Sequence, residues 1–201
     1  MSLNRPIIAL DADGVLLDYH LAYCDAWQKT FGVLPNIKDP LAYWPIDRWE
    51  VQRLTGSDLE NFRKSFDHQF WSTVPAVTGA VEACLTLHHG GYELVCVSAV
   101  EKQFQAARLH NLQTLGFPVH RVIATTNSAD KISPKAEALH ALKPVAFVDD
   151  YLPYLRGVSS NIHSALVLRE PNGSPNVGPE LNNAQSQHND LADFVDWWLN
   201  K

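Results

Sequence analysis

The sequence predicts an α/β protein: a parallel sheet of five strands flanked by helices, with a small helical insertion after the first strand. Short continuous apolar runs, each ended by polar residues or glycine, recur along the chain and are typical of strands buried on both faces of a parallel sheet. Helical patterns lie between the later runs, as in alternating α/β folds. A length of 201 residues is enough for one compact domain with a small insertion.

Each element of the core has its own signal. The predicted strands are the apolar runs at residues 6–11, 93–98, 121–125, 145–149 and 163–168. Three helices are predicted between them, at residues 78–89, at residues 101–115 and after Ser133-Pro134. The tail is rich in Asn, Pro, Gly, Ser and Gln and is predicted to form a loop over residues 171–189, followed by a last helix at 190–199.

The stretch between the first two strands has no strand-like run. It predicts a helix from Tyr19 to Phe31, a Pro-rich loop, and a second helix that a capping box at Ser57 opens and that runs to Trp71. The predicted division is therefore a core of residues 1–17 and 73–201 and a helical insertion of residues 18–72. Four of the six tryptophans lie in this insertion. We expect most of its aromatic side chains to form its own core; that one or two of them line a ligand pocket is the less favoured alternative.

Composition and charge exclude several classes of protein. The chain is 46% hydrophobic and 19% charged, which is ordinary for a globular domain, and its formal net charge of −6 argues against a nucleic-acid polymer as partner. Its three cysteines form no CxxC pair, so we expect reduced thiols rather than disulfides or a thiolate zinc site. No secretory signal or long apolar segment is present, which predicts a cytoplasmic protein without a membrane span. The sequence does not predict the oligomeric state.

Two pairs of carboxylates follow predicted strands. Asp11 and Asp13 come at the end of the first strand, before Gly14, and Asp149 and Asp150 end the fourth. The carboxyl ends of parallel strands meet at one edge of the sheet, where α/β proteins bind ligands. Four carboxylates gathered there would repel one another unless a cation lay among them, and hard oxygen ligands favour Mg²⁺.

Two further polar residues lie at the same predicted edge. Ser98 ends the second strand, where its hydroxyl could bind a phosphate oxygen. Lys135 lies in the first turn of the helix that Ser133-Pro134 opens. Each residue alone is unremarkable, because a serine or lysine at such a place is usually solvated.

Together these residues resemble the haloacid dehalogenase-like hydrolase superfamily over almost the whole chain. Its first motif, an apolar strand followed by DxDG, matches residues 7–14; its second, a strand followed by Ser or Thr, matches residues 94–98; and its fourth, a strand followed by an acidic pair, matches residues 146–150. Its third motif is a lysine at the start of the next helix, for which Lys135 fits better than Lys131. The resemblance implies a Rossmann-like sheet and a helical cap that closes over the active site and selects the substrate.

The resemblance also implies roles for these residues. Asp11 is expected to attack phosphorus and form an aspartyl-phosphate, and Asp13 to act as general acid and base. Ser98 and Lys135 are expected to bind the phosphoryl oxygens. Mg²⁺ is expected to bind the Asp11 carboxylate, the Asp13 backbone carbonyl and the pair Asp149-Asp150. The resemblance leaves open which residue of this pair is the direct ligand. The implied activity is hydrolysis of a small phosphorylated metabolite.

Several alternatives remain. A phosphomutase uses the same fold, whereas the dehalogenases of the superfamily lack an acid at the position of Asp13. A non-enzymatic phosphoacceptor module would carry its acceptor on the third strand, which here ends at Thr125-Thr126-Asn127. A dinucleotide-binding protein would have GxGxxG where Asp11 to Gly14 stand. The length of the insertion and its aromatic residues are similar, at a distance, to the deoxyribonucleotidases of the superfamily.

Overall fold

A parallel sheet forms the centre of the molecule. The computed structural model describes residues 5–126 and 131–201, so Asn127 of the alternative above lies outside the described residues. In the described part the sheet has six strands in the order β3-β2-β1-β4-β5-β6, and all neighbouring strands are parallel. The strands are β1 (Ile7–Leu10), β2 (Glu93–Ser98), β3 (Val119–Ala124), β4 (Ala146–Asp149), β5 (His163–Val167) and β6 (Ser186–His188).

The sixth strand corrects the prediction of five strands. β6 lies inside the segment 171–189, which the sequence predicted to be a loop. Its three residues are polar and carry no apolar run, so no sequence pattern marks the strand. Backbone hydrogen bonds to β5 form this strand: Gln185 donates to the carbonyl of Ser164, and Leu168 donates to the carbonyl of His188.

Both faces of the sheet are buried, as the apolar runs predicted. Successive residues of β1 alternate between two hydrophobic cores, with Ile8 and Leu10 in one and Ala9 in the other. The first core extends into the helical insertion through buried aromatic residues such as Trp27, Phe62 and Phe70. This shared core holds the insertion against one face of the sheet.

The helices follow the predicted order. Helix α1 begins after Asp18, whose carboxylate accepts from the backbone N–H of Leu21 at 3.0 Å, and ends at Gly32 in the left-handed conformation, as predicted. Short 3₁₀ helices cover 102–104, 152–155 and 179–183. The α-helices are α1 (Tyr19–Phe31), α2 (Pro45–Arg48), α3 (Gly56–Lys64), α4 (His68–Ser72), α5 (Ala80–His89), α6 (Gln105–Thr114), α7 (Ala136–Leu142) and α8 (Leu191–Asn200).

The structure has two helices where the sequence predicted one second helix in the insertion, and the predicted capping box at Ser57 is wrong. Helix α3 begins at Gly56, so Ser57 lies inside the first turn and cannot cap it. The chain leaves the helix after Lys64, and Asp67 then caps α4 by accepting from the N–H of Phe70 at 2.9 Å. The core helix after Ser133 is also shifted, because α7 begins at Ala136 with Lys135 as its N-cap.

The two chain crossings between the insertion and the core are held together. Leu17 pairs with Ala76 in an antiparallel bridge, and Asp18 donates to the carbonyl of Pro75 at 2.8 Å. On the core side, Val77 donates to the carbonyl of Leu16 at 2.9 Å. The insertion therefore leaves and re-enters the core at one point, next to the loop that follows β1.

All three cysteines, Cys24, Cys84 and Cys96, are buried and free, as predicted. Within residues 5–126 and 131–201, no helix has the length and apolar character needed to cross a bilayer.

Candidate active site

The site is built on the loop that follows β1. Asp11 donates its backbone N–H to Val148 of β4, and the carbonyl of Ala12 then accepts from residues 15, 16 and 17, which forces a tight turn. Gly14 makes the turn possible with a φ of +91°. A Cβ at residue 14 would overlap Asp150, so the turn and the end of β4 are packed directly against each other.

Lys135 joins two of the predicted carboxylates. Its side chain is fully buried, and its Nζ lies 2.5 Å from Asp11 Oδ1 and 2.7 Å from Asp149 Oδ2. Burial alone would lower the pKa of Lys135, but the charges of Asp11 and Asp149 raise it overall. Burial in turn raises the pKa of both carboxyls, against the opposing charge of Lys135. Lys131, the alternative lysine, is exposed.

Asp150 is held by residues that the sequence analysis did not select. Arg169 Nε donates to Asp150 Oδ2 at 2.5 Å, and the hydroxyl of Tyr43 lies 3.2 Å from the same oxygen. Asn176 donates to the backbone carbonyl of Asp150 at 2.7 Å. Tyr43 belongs to the helical insertion, so one residue at the end of β4 is fixed from both parts of the molecule.

A third cation, which is fully buried, lies beside Asp13. Arg108 of α6 has no exposed surface, and its Nη2 donates to both carboxylate oxygens of Asp13, at 2.8 and 2.7 Å. Burial raises the pKa of Asp13, and the charge of Arg108 opposes this rise. Among the described residues, Asp13 is not one of the three aspartates close enough together to hold one cation, and its carboxyl group has a cationic partner of its own.

The cluster of Asp11, Asp149 and Asp150 fits a divalent cation. One carboxylate oxygen from each residue lies within 4.8 Å of the other two, and all three residues are buried. Hard oxygen donors of this kind suit Mg²⁺. The proposed contribution of the Asp13 backbone carbonyl remains a prediction.

The charge balance of the site differs from the expectation of four uncompensated carboxylates. The four acidic residues face three buried or half-buried cations, Lys135, Arg108 and Arg169, so the net charge of the group is −1. Repulsion therefore does not by itself require a metal ion. A divalent cation would change the net charge to +1, which favours a phosphate dianion as ligand.

Ser98 ends β2 as predicted, and its side chain is unpartnered. The residue has no exposed surface, and its Oγ has no hydrogen-bond partner among the described residues. A buried polar atom without a partner costs about 1–3 kcal/mol. A phosphate oxygen would supply the missing partner, so the environment of Ser98 is compatible with the predicted role.

A cavity of about 940 Å³ opens onto the site between the core and the insertion. Asp11, Asp13 and Asp150 line its floor, together with Arg169. Five aromatic residues of the insertion reach it, more than the less favoured alternative of one or two; they are Tyr19, Tyr43, Trp44, Phe66 and Trp71. The core adds Phe104, Tyr151 and Tyr154. The cavity thus has a charged floor and walls that combine these eight aromatic rings with polar residues, which are Arg63, Lys64, Asp67, His68, Glu101 and Gln103.

The residues missed by the sequence analysis left weak signals. Arg169 follows β5 by two positions, so the rule that selected the other strand ends would also have selected it. Arg108 lies on the same buried face of α6 as Asn111 and Leu112. A charged residue on the buried face of a helix indicates a specific ionic partner. Tyr43 lies in a Pro-rich loop and had no signal beyond its aromatic ring.

Comparison with known proteins supports the fold. No family model and no curated protein sequence matches the chain. A haloacid dehalogenase-like hydrolase of Streptococcus pneumoniae matches in structure with a TM-score of 0.62 at 12% identity, over 96% of this chain and 98% of the other. A proposed β-phosphoglucomutase of Thermotoga maritima gives a TM-score of 0.59 at 17% identity, over 97% and 99% of the two chains.

Phosphatases are also among the similar structures. A predicted phosphoglycolate phosphatase of Haemophilus somnus matches with a TM-score of 0.59 at 14% identity, over 98% of this chain and 100% of the other. These proteins differ in activity, so the likeness at such low identity concerns the fold. The chain has the fold of the haloacid dehalogenase-like hydrolases, as its motifs indicated.

Proposed function

We propose that the protein is a Mg²⁺-dependent phosphatase that hydrolyses a small phosphomonoester through an aspartyl-phosphate on Asp11. The observation that carries the proposal is the contact of Lys135 with Asp11 inside a cluster of three buried aspartates. The ammonium group holds the Asp11 side chain at the floor of the cavity and balances part of its charge. A carboxylate held in this way can attack an incoming phosphorus atom.

The first half of the reaction uses Asp11 and Asp13. An oxygen of Asp11 forms a bond to phosphorus while the bond between phosphorus and the ester oxygen breaks. Asp13, in its protonated form, gives its proton to the departing oxygen. Ser98, at the end of β2, and Lys135, whose Nζ contacts Asp11, bind oxygens of the phosphoryl group during the transfer.

The second half removes the phosphoryl group from Asp11. A water molecule attacks phosphorus, Asp13 accepts a proton from that water, and the bond to the Asp11 oxygen breaks. A Mg²⁺ ion held by Asp11, Asp149 and Asp150 would supply electrostatic stabilisation of the phosphoryl charge when bound. Free phosphate and the original carboxylate result.

The residues that line the cavity indicate the kind of substrate that it favours. The aromatic rings of its walls favour a leaving group with a flat or apolar surface, because such groups stack on aromatic rings. Nucleoside monophosphates therefore belong in the first substrate panel beside sugar phosphates. We propose that the substrate is a small phosphorylated metabolite of the cytoplasm rather than a nucleic-acid polymer, in keeping with the net charge of −6.

The test is phosphate release from a panel of nucleotides, sugar phosphates and p-nitrophenyl phosphate, with Mg²⁺ and with EDTA. The wild type should release phosphate only with the metal, and Asp11→Asn should release none. Asp196→Asn, an exposed aspartate on α8, is the matched control and should behave as the wild type. Failure of the folded wild type to release phosphate from any ester would refute the proposal.

The same assay separates a phosphomutase from a phosphatase. A mutase would keep the phosphoryl group on the enzyme and pass it to a second hydroxyl of the sugar, so it would convert one sugar phosphate into another with little free phosphate. Analysis of the sugar products, alongside phosphate release, therefore distinguishes the two activities.

A further inference from the structure

Arg108 lies between Asp13 and the helical insertion. Its guanidinium group bonds both oxygens of Asp13 through Nη2, and its carbon Cζ lies 4.9 Å from the centroid of the Trp71 ring. Trp71 belongs to α4, the last helix of the insertion. One buried side chain on α6 therefore contacts a carboxyl group of the site on one side and the insertion on the other.

Asp13 is the main polar partner of the Arg108 side chain. Among the described residues, Asp13 is the one carboxylate that forms an ion pair with Arg108, and Nε and Nη1 of Arg108 have no hydrogen-bond partner. A buried cation needs a compensating charge, and removing one member of such a pair leaves the other uncompensated. The orientation of each side chain is therefore set by the other.

Helix α6 is fixed to the insertion at the same place. Asn111, one turn after Arg108, donates from Nδ2 to the carbonyl of Val74 at 2.9 Å, in the segment that returns from the insertion to the core. The ring of Phe104, just before α6, lies 6.0 Å from that of Trp71. Arg108 is thus held in a rigid frame that includes the base of the insertion.

We infer that Arg108 is a positioning residue that holds the carboxyl group of Asp13 at the leaving-group oxygen of the substrate, and that Trp71 ties this position to the insertion. The side chain of Asp13 is 27% exposed, so it reaches the cavity while Arg108 behind it stays fully buried. Arg108 itself does not touch the substrate. The inference rests on the proposed function, because it assigns Arg108 to the proton transfer of that reaction.

The leaving group provides the test. An alkyl phosphate needs a proton on its departing oxygen, whereas p-nitrophenolate leaves without one. Arg108→Gln should lower kcat/KM for an alkyl phosphate about 10- to 100-fold, part of the effect typical of general acid catalysis, and lower kcat/KM for p-nitrophenyl phosphate about 3-fold or less. The ratio kcat/KM is the quantity to compare, because it covers only the steps up to phosphoryl transfer to Asp11, whereas kcat also includes hydrolysis of the aspartyl-phosphate, which is common to both esters and also uses Asp13.

Two further variants sharpen the result. Arg108→Lys keeps the buried charge but offers a compact ammonium in place of the planar guanidinium, so it should restore part of the alkyl phosphate rate and serves as the test variant if Arg108→Gln does not fold. In an Asp13→Asn background, Arg108→Gln should have little additional effect, because the group that it positions is gone. Arg156→Gln, which removes an arginine-carboxylate pair with Glu180 outside the site, is the matched control.

The outcomes separate the inference from the proposed function. Equal losses of kcat/KM for both esters in the folded Arg108 variants, or losses that multiply with that of Asp13→Asn, would overturn the positioning role while leaving the phosphatase intact. A folded wild type that hydrolyses no ester would instead refute the proposed function, and the inference with it.

Discussion

Lys135 Nζ lies within 2.7 Å of carboxylate oxygens from two different strand ends, Asp11 after β1 and Asp149 at the end of β4. One buried ammonium group therefore compensates two buried carboxylates. In the sequence, Lys135 is 124 positions away from Asp11 and 14 positions away from Asp149. This arrangement also has a measurable consequence for stability.

Replacing Lys135 by Met should destabilise the fold. Two buried carboxylates would face each other without their cation, and breaking a buried ion pair typically costs about 3–5 kcal/mol. Urea unfolding at pH 7 without metal should show this loss of free energy of unfolding. Lys102→Met, on an exposed lysine, should stay within about 0.5 kcal/mol of the wild type. A similarly small change in Lys135→Met would contradict the buried contacts.

Gly14→Ala should weaken metal binding without altering any proposed ligand. Its Cβ would overlap the carboxylate of Asp150 and displace it. We expect the affinity for Mg²⁺, measured by calorimetry, to fall about 10- to 100-fold, as when a supporting contact of a metal ligand is lost. Gly79→Ala is the control, because Gly79 also has a positive φ, +80°, but has open space around its Cβ position. Both variants should share the backbone strain, and equal Mg²⁺ affinities in the two would rule out the proposed metal site.

His20 should make the fold sensitive to acid. Its Nε2 donates to the carbonyl of Tyr43 at 2.9 Å, and burial, followed by the charge of Arg169, lowers its pKa from 6.5 to about 4. The unfolded chain therefore binds a proton at a higher pH than the folded one, so stability is full above pH 6.5 and falls as the pH drops toward 4. This group should account for about 3 kcal/mol at pH 4.

The measurement is the free energy of unfolding at pH 7 and at pH 4 for the wild type and His20→Gln. The glutamine variant should lose less stability between the two pH values, since other groups titrate equally in both proteins. A parallel loss in the two proteins would show that His20 is protonated in the folded state near its ordinary pKa.

The predictability of the site follows from the position of each residue in the chain. Asp11, Ser98 and Asp149 stand at the ends of apolar runs, and the rule for parallel strands places such residues together at one edge. The family's third motif calls for a lysine at a helix start, which favoured Lys135 over Lys131, and the structure brings Lys135 to Asp11. Strand ends and the family's motifs therefore indicated these four residues of the site.

The surroundings of the site depend on contacts that no local pattern encodes. Arg108 pairs with Asp13 across 95 positions, and Tyr43 reaches Asp150 across 107. Such pairs arise only when the insertion and α6 pack against the sheet. The same holds for β6, whose three polar residues become a strand because β5 offers its free edge.

The phosphorylated state of Asp11 tests the central proposal most directly. The wild type, mixed with a hydrolysed ester and Mg²⁺ and quenched in acid within a single turnover, should yield a peptide containing Asp11 that is heavier by one phosphoryl group in mass spectrometry. Asp11→Asn should yield no such peptide and should lose turnover by roughly 10⁴-fold or more, as on removal of a catalytic nucleophile. Wild-type turnover without a labelled Asp11 peptide, or turnover retained in Asp11→Asn, would contradict the proposal.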